Sequence, residues 1–307
     1  MSDAGRIAIV TEEPGWHGAE LRRVLEARGL NLRFVSLRAS RVNLGGEGSV
    51  VVLPGFEDRL PDGVLVRDVP GGTLEQVVLR LDVLHALREL GVPVYNDART
   101  IERTVDKAMT SILLHRAGIP TPPTCVAEAP AEARSFLEAE TAAGHEVVAK
   151  PLFGSLGVGL RRLDAGMDLP DLAASGGVWY LQRYIETGLR EGGWRDFRVL
   201  VVGGVPAAAM VRHGTSWVGN VAQGALCEPS QPDPELERLA VAACAAVGAD
   251  HAGVDLIRDS AGRLLVLEVN GIPGWRGLQG TTRIDLADLV VEDFLTRRML
   301  QESPIRP

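Results

Sequence analysis

The sequence has almost no lysine: of its 32 basic residues, 30 are arginine and two, Lys107 and Lys150, are lysine. A lysine carries a compact point charge on a flexible stem, whereas an arginine carries a bulky planar fork. The two retained lysines therefore mark candidate positions where a fork does not fit. Cysteine is also scarce, and the three residues Cys125, Cys227 and Cys244 have neither zinc-ligand nor disulfide spacing. They read as small buried hydrophobes. No run of about 18 apolar residues is present, which argues against a membrane-spanning helix. The first ten residues, MSDAGRIAIV, lack a basic segment before an apolar one and lead straight into a strand, so a cytoplasmic protein is expected. Positive charge is missing overall. The net charge of -8 argues against nucleic acid as the main partner, although local arginine clusters still allow small anionic substrates. Internal repeats and low-complexity tracts are absent.

What is there is a chain of 307 residues, long enough for two or three domains sharing a cleft. Strands are predicted at 5–10, 32–37, 49–53 and 64–66, with helices over Gly18–Arg28 and Thr73–Leu90 and a short strand in VPVYN. This alternation predicts a small parallel α/β domain over 1–96. A helix over Thr100–Ala117 opens a central unit, 97–179. It continues through a stiff proline-rich linker, a helix at 130–143, a strand at Glu146–Pro151 and the glycine-rich stretch Phe153–Leu160. A strand near Val178–Tyr184 is expected to open a third unit, 180–307. That unit holds the strands FRVLVV, VPAAAMVRH, HAGVDLIR and LLVLEVN, a helix at Pro234–Val247 and a terminal helix at Ile284–Leu300.

The strongest chemical signal is Asp255 with Glu268 and Asn270. Glu268 and Asn270 are two apart on an apolar strand and share a face. If Ala261-Gly262 is a two-residue hairpin loop, cross-strand partners sum to 523, and Asp255 faces Glu268. Two carboxylates and an amide oxygen make a hard-oxygen site suited to Mg²⁺. The bland alternative, a solvated sheet face, fits poorly with the crowd of valines and leucines around them. Next, Lys150 ends a strand and is followed by a loop containing Gly154, Ser155, Gly157 and Gly159. Bare amides there can approach phosphate oxygens, though an ordinary glycine-rich hairpin fits nearly as well. Lys107 follows Asp106 on a helix. Gln182, Tyr184 and Ile185 lie where a strand runs into a loop and backbone groups can read an adenine edge. Asp196 and Arg198 share a strand face, and Arg212 and Asn220 follow. The two arginines suit a carboxylate or a transferring phosphoryl group, with surface ion pairing as the alternative.

In this order, the DK helix, GIPTPPT, VVAKPLFGSLGVGL, QRYI, DFRVLVVGG, the arginine before Asn220, GVDLIR and LEVNGIPG resemble the ATP-grasp superfamily, and more narrowly the RimK-like α-L-glutamate ligases. The resemblance covers about residues 90–290 and implies an α/β (α+β) ATP-grasp fold behind a parallel pre-ATP-grasp domain. It implies that Lys107 and Lys150 contact ATP and that Gly154–Gly159 covers the triphosphate. Gln182 and Ile185, with Tyr184 beside them, would face adenine, and Asp196 would position the nucleotide. Asp255, Glu268 and Asn270 would hold two Mg²⁺ ions, with Mn²⁺ as a substitute. Arg212, Asn220 and Arg198 would meet the phosphate and the acyl phosphate. The implied reaction activates a carboxylate as an acyl phosphate, which an amine, that of glutamate, then attacks. Trp16-His17-Gly18 and Gly274-Trp275-Arg276 are similar to relatives linked to tetrahydromethanopterin. A small coenzyme precursor of tetrahydromethanopterin or methylofuran type is therefore the expected acceptor, stacked between Trp16 and Trp275 with His17 and Arg276 near. The alternatives are a protein tail as acceptor and a non-catalytic nucleotide-binding module. Relatives of this kind assemble as homo-oligomers, which is expected here too.

Overall fold

The structure, a computed structural model, describes residues 5–45, 50–154, 157–173, 175–187, 194–214, 217, 226–231 and 233–299. The N-terminal part runs β1 (Arg6–Val10), α1 (Gly15–Ala27), β2 (Asn31–Val35), β3 (Arg41–Val42), β4 (Val51–Val52), β5 (Gly63–Val66), α2 (Leu74–Glu89) and β6 (Val94–Tyr95). Strands β2, β1, β5 and β6 form a parallel sheet in that order, the arrangement expected from alternating strands and helices. Among the described residues the predicted strand at 49–53 is not in it: β4 pairs with β3 instead.

The pleat of β1 assigns each layer. Ile7 and Ile9 pack on Leu21 and Leu25 of α1, while Ala8 and Val10 pack with Val83, Leu84 and Leu87 of α2. The first of these layers is completed from the far end of the chain. Helix α7 (Leu286–Asp293) supplies Leu286, Val290 and Val291 to the same core, and Phe294 joins them. Arg28 of the N-terminal part pairs with Asp288 at 2.7 Å. The terminal helix is shorter than expected, since a π-helical turn, Phe294–Met299, replaces its last part.

The middle of the chain gives α3 (Ala98–Val105), α4 (Lys107–Arg116), β7 (Thr124–Ala127), α5 (Pro130–Ala142), β8 (Val147–Lys150), β9 (Arg161–Leu163) and β10 (Trp179–Arg183). The single helix expected over Thr100–Ala117 is two, because the Asp106 side chain accepts from the amides of Ala108 and Met109 and caps a new helix. Strand β10 lies between β7 and β8, antiparallel to both. It thus belongs to the central sheet and does not open the third unit, so a boundary at 179/180 cuts through a strand.

The last sheet has the order β13 (Leu226–Pro229), β12 (Val205–Gly214), β11 (Trp194–Val202), β14 (His251–Arg258) and β15 (Leu264–Asn270), all antiparallel. Helix α6 (Pro234–Val247) covers one face with Leu236, Leu239, Ala240 and Ala243, and α4 adds Leu114 to that layer. Helix α4 therefore follows the last sheet in its packing, although it comes before the central sheet in sequence. Among the described residues, no helix is long and apolar enough to cross a membrane.

A candidate nucleotide and carboxylate site

The three sheets surround a cleft of about 550 Å³. Lys150, the last residue of β8, points into it and donates to Gln182 Oε1 at 2.6 Å. Burial lowers the ammonium to about 8, although Glu268 pulls the other way. Lys107, the first residue of α4, donates to the Gly154 carbonyl at 2.7 Å. Burial lowers it as well, against the attraction of Glu268 and Asp106. Both lysines and Glu268 also line a smaller neighbouring cavity with Tyr180. Two cations on separate elements thus converge on one acid, the arrangement expected of a grip on a polyanion.

Gln182 is not free to read a base with its side chain. Its Oε1 is taken by Lys150, its Nε2 donates to Thr124 Oγ1 at 3.0 Å and to the Tyr180 hydroxyl at 3.2 Å, and it is almost fully buried. Tyr180 and Ser111, whose hydroxyls are 2.8 Å apart, extend this network and carried no signal in the sequence. Tyr184 and Ile185 line the cleft with Val148 and Trp217. Trp217 meets Tyr184 edge-on at 6.2 Å, and Arg162 lies over the other ring at 4.0 Å. Gly157 lines the cleft, and Gly159 has φ +78 beside Pro151. Ser155 and Asn220 lie outside the described residues.

On the last sheet, Asp255 faces Glu268 as expected, but not through the expected turn. Nearest the turn, Arg258 pairs with Leu264 and Ile257 with Leu265, so partners there sum to 522. A register shift between Asp255 and Leu256 restores the pairing with Glu268. Asp255 is held by two arginines. Arg198, its cross-strand partner, donates from Nε and Nη2 at 2.7 and 2.6 Å, and Arg212 adds a contact at 3.1 Å. Arg212 in turn grips Asp196, its own cross-strand partner, through Nε at 2.7 Å and through Nη2. Burial opposes charge on both acids. The two guanidinium groups outweigh it at Asp255 and hold that carboxyl below its ordinary range. At Asp196 burial wins and raises the carboxyl to about 7. The two arginines are therefore engaged with acids and are not open to a substrate in this state.

A Mg²⁺ ion would find hard oxygen donors here in Asp255, Glu268 and the amide of Asn270, whose Oδ1 also accepts from the Ile272 amide at 3.0 Å. Glu268 makes no side-chain hydrogen bond among the described residues, so its oxygens are available, and the donor chemistry fits the ion. Among the described residues no group of three or more His, Cys, Asp or Glu side chains is gathered, so the amide is a necessary part of the set.

The aromatic expectation is corrected. Trp275 is 1% exposed, lies in the core with Leu278 and Ile9, and has no face open for stacking a substrate. Its ring carries Arg67 instead, 4.4 Å above the centroid, and its amide donates to His17 Nε2 at 2.9 Å. Trp16 packs against the same core. Of the segment Gly274–Leu278, only Gly274 lines the cleft among the described residues, and Arg276 is exposed outside it. Sequence reasoning also missed Arg67 and Asp68. They follow β5 at the carboxyl end of a parallel sheet, and that position was the available signal.

The model of the RimK-like ATP-grasp domain matches residues 104–294. The chain belongs to the RimK-like ATP-grasp family. It is similar to the tetrahydromethanopterin:alpha-L-glutamate ligase of Methanococcus maripaludis, 31% identical over 297 residues that span 94% of this chain and 98% of that protein. It is also similar to the enzyme of the same name from Methanocaldococcus jannaschii, 35% identical over 70% of this chain and 74% of that one. Among solved structures, the ATP-grasp ligase PsnB complexed with minimal precursor, Mg and ADP superposes with a TM-score of 0.72. It is 21% identical over 96% of this chain and 98% of its own. D-cycloserine synthetase DcsG gives 0.69 at 21% identity over 95% and 99%. At that identity the structures speak for the ATP-grasp fold alone.

Proposed function

We propose that this protein is an ATP-dependent ligase that joins L-glutamate through an amide bond to a carboxylate of a small coenzyme of tetrahydromethanopterin type. The observation that carries this reading is the cleft itself, in which two half-buried lysines converge on Glu268 while Asp255 stands opposite it between Arg198 and Arg212. The named relatives supply the substrate class.

The chemistry has two displacements. A carboxylate oxygen of the coenzyme attacks the γ-phosphorus of ATP, and ADP leaves. The amine of glutamate then attacks the acyl carbon, gives up a proton, and phosphate leaves. Lys107 and Lys150 bind the phosphates, and Gly154–Gly159 closes over them to exclude water. Tyr184, Ile185 and backbone near Gln182 hold the adenine, and Asp196 positions the nucleotide. Arg198, Arg212 and Asn220 meet the charge that develops on the transferred group. For the arginines this requires Asp255 to exchange guanidinium for another cation. Asp255, Glu268 and Asn270 would hold Mg²⁺, two ions or Mn²⁺ in their place, which supplies neutralisation of phosphate charge when bound. The protein works in the cytoplasm as a homo-oligomer in this reading.

The test offers radiolabelled L-glutamate, ATP and Mg²⁺ with either tetrahydromethanopterin or a glutamate-ended polypeptide. Label in the coenzyme, with stoichiometric ADP, is expected. Label in the polypeptide alone supports the protein-modifying alternative. Tight Mg-ATP binding with no ADP from either acceptor supports a non-catalytic module.

A further inference from the structure

Arg67 is a cleft arginine that pairs with no acid among the described residues. Arg198 and Arg212 spend their donors on Asp255 and Asp196. The Nη2 of Arg67 donates to the Pro273 carbonyl at 2.7 Å, while its Nε and Nη1 are buried with no partner among the described residues. Asp68, the acid beside it, raises its charge only through space. The group stays cationic at neutral pH, since burial lowers it only to about 10. It is also held still. The Trp275 ring lies 4.4 Å beneath it, and that tryptophan is anchored to His17. Burial first, and then Arg67 and Arg276, lower His17 to about 4, so this histidine is a neutral acceptor and adds no competing charge. Buried donors without partners are costly, and a guanidinium whose Nε and Nη1 lack acceptors can give a charge-assisted N–H to a carboxylate oxygen.

We propose that Arg67, backed by Trp275 and Pro273, is the carboxylate-receiving group of the cleft, binding a carboxylate of the coenzyme or of the incoming glutamate. This rests on the ligase reading above. The experiment compares wild type with Arg67→Gln and Arg67→Lys, taking KM for coenzyme and for glutamate separately and Kd for Mg-ATP by calorimetry. Losing a charge-assisted pair is expected to raise one of the two KM values by about tenfold or more and to leave Mg-ATP binding within about twofold. The KM that rises names the source of the carboxylate. Arg67→Lys, which keeps the charge and loses the fork, is expected to fall between, and it serves alone if Arg67→Gln does not fold. Unchanged KM values for both acids, or a parallel loss of Mg-ATP affinity, would overturn the proposal. A second readout is independent of turnover: melting-temperature titration with glutarate and with L-glutamate should shift wild type more than Arg67→Gln. Equal shifts in the two proteins, or no shift in wild type, would also overturn it. If wild type makes no glutamyl product, the ligase reading fails, and this titration still decides the role of Arg67.

Discussion

Replacing Lys150 tests the cleft most directly, because its charge is both costly and useful. Burial lowers its ammonium from 10.5 to about 8 even with Glu268 and Asp255 nearby. That corresponds to on the order of 3 kcal/mol against the charged form in the unliganded protein. The sign follows from the direction. The penalty is fully present below about 8 and fades as pH rises from there toward 10.5, where the unfolded chain also loses its proton. Lys150→Met should therefore raise the melting temperature of the unliganded protein at pH 7, and the gap should narrow by pH 10. Nucleotide binding runs the other way. With a group titrating at about 8, roughly nine-tenths is charged at pH 7 and one-tenth at pH 9, so the apparent Kd for Mg-ATP should rise about tenfold. Calorimetry at the two pH values measures this. Lys150→Arg should bind weakly at both, with a flat profile, because guanidinium does not titrate there and a fork clashes with the contact to Gln182. A flat wild-type profile, or Lys150→Arg with wild-type affinity, would refute the reasoning.

Three further outcomes are expected. Asp255→Asn leaves Arg198 without its bidentate partner in a buried site, and urea unfolding should show a loss of about 3 kcal/mol. The same variant should lose Mg²⁺-dependent ADP release. Asp106→Ala removes the cap of α4, which should cost about 1 kcal/mol and raise KM for ATP several-fold, because Lys107 is the first residue of that helix. Gly159→Ala would place a Cβ 2.8 Å from Pro151 Cγ at φ +78, so about 1–2 kcal/mol of strain and a lower kcat are expected from steady-state kinetics.

Much of the site was legible because it is local. The strand that delivers Lys150 and the shared face of Glu268 and Asn270 each depend on a few neighbouring residues, whereas the cap at Asp106 that splits the expected helix went unread. The pairing of Asp255 with Glu268 came out as expected through an error that cancelled. The five residues between Arg258 and Leu264 make an odd-membered turn centred on Ala261, so the sum of partners falls by one, and the bulge beside Asp255 raises it again. Nothing in the sequence signals that bulge. Strand β10 was misplaced for a similar reason: nearness along the chain is a guide to sheet neighbours, yet β10 inserts between two earlier strands.

The sequence by itself determined the elements, the family resemblance and the supply of lysines, acids and glycines, since periodicity and motif order are written along the chain. Only the tertiary structure decided which charges meet. Arg198 reaches Asp255 across 57 positions, and Arg67 lies over Trp275, a residue from far along the chain. These contacts depend on which layers pack together, and burial then decides which carboxylate stays ionised and which arginine keeps its donors free.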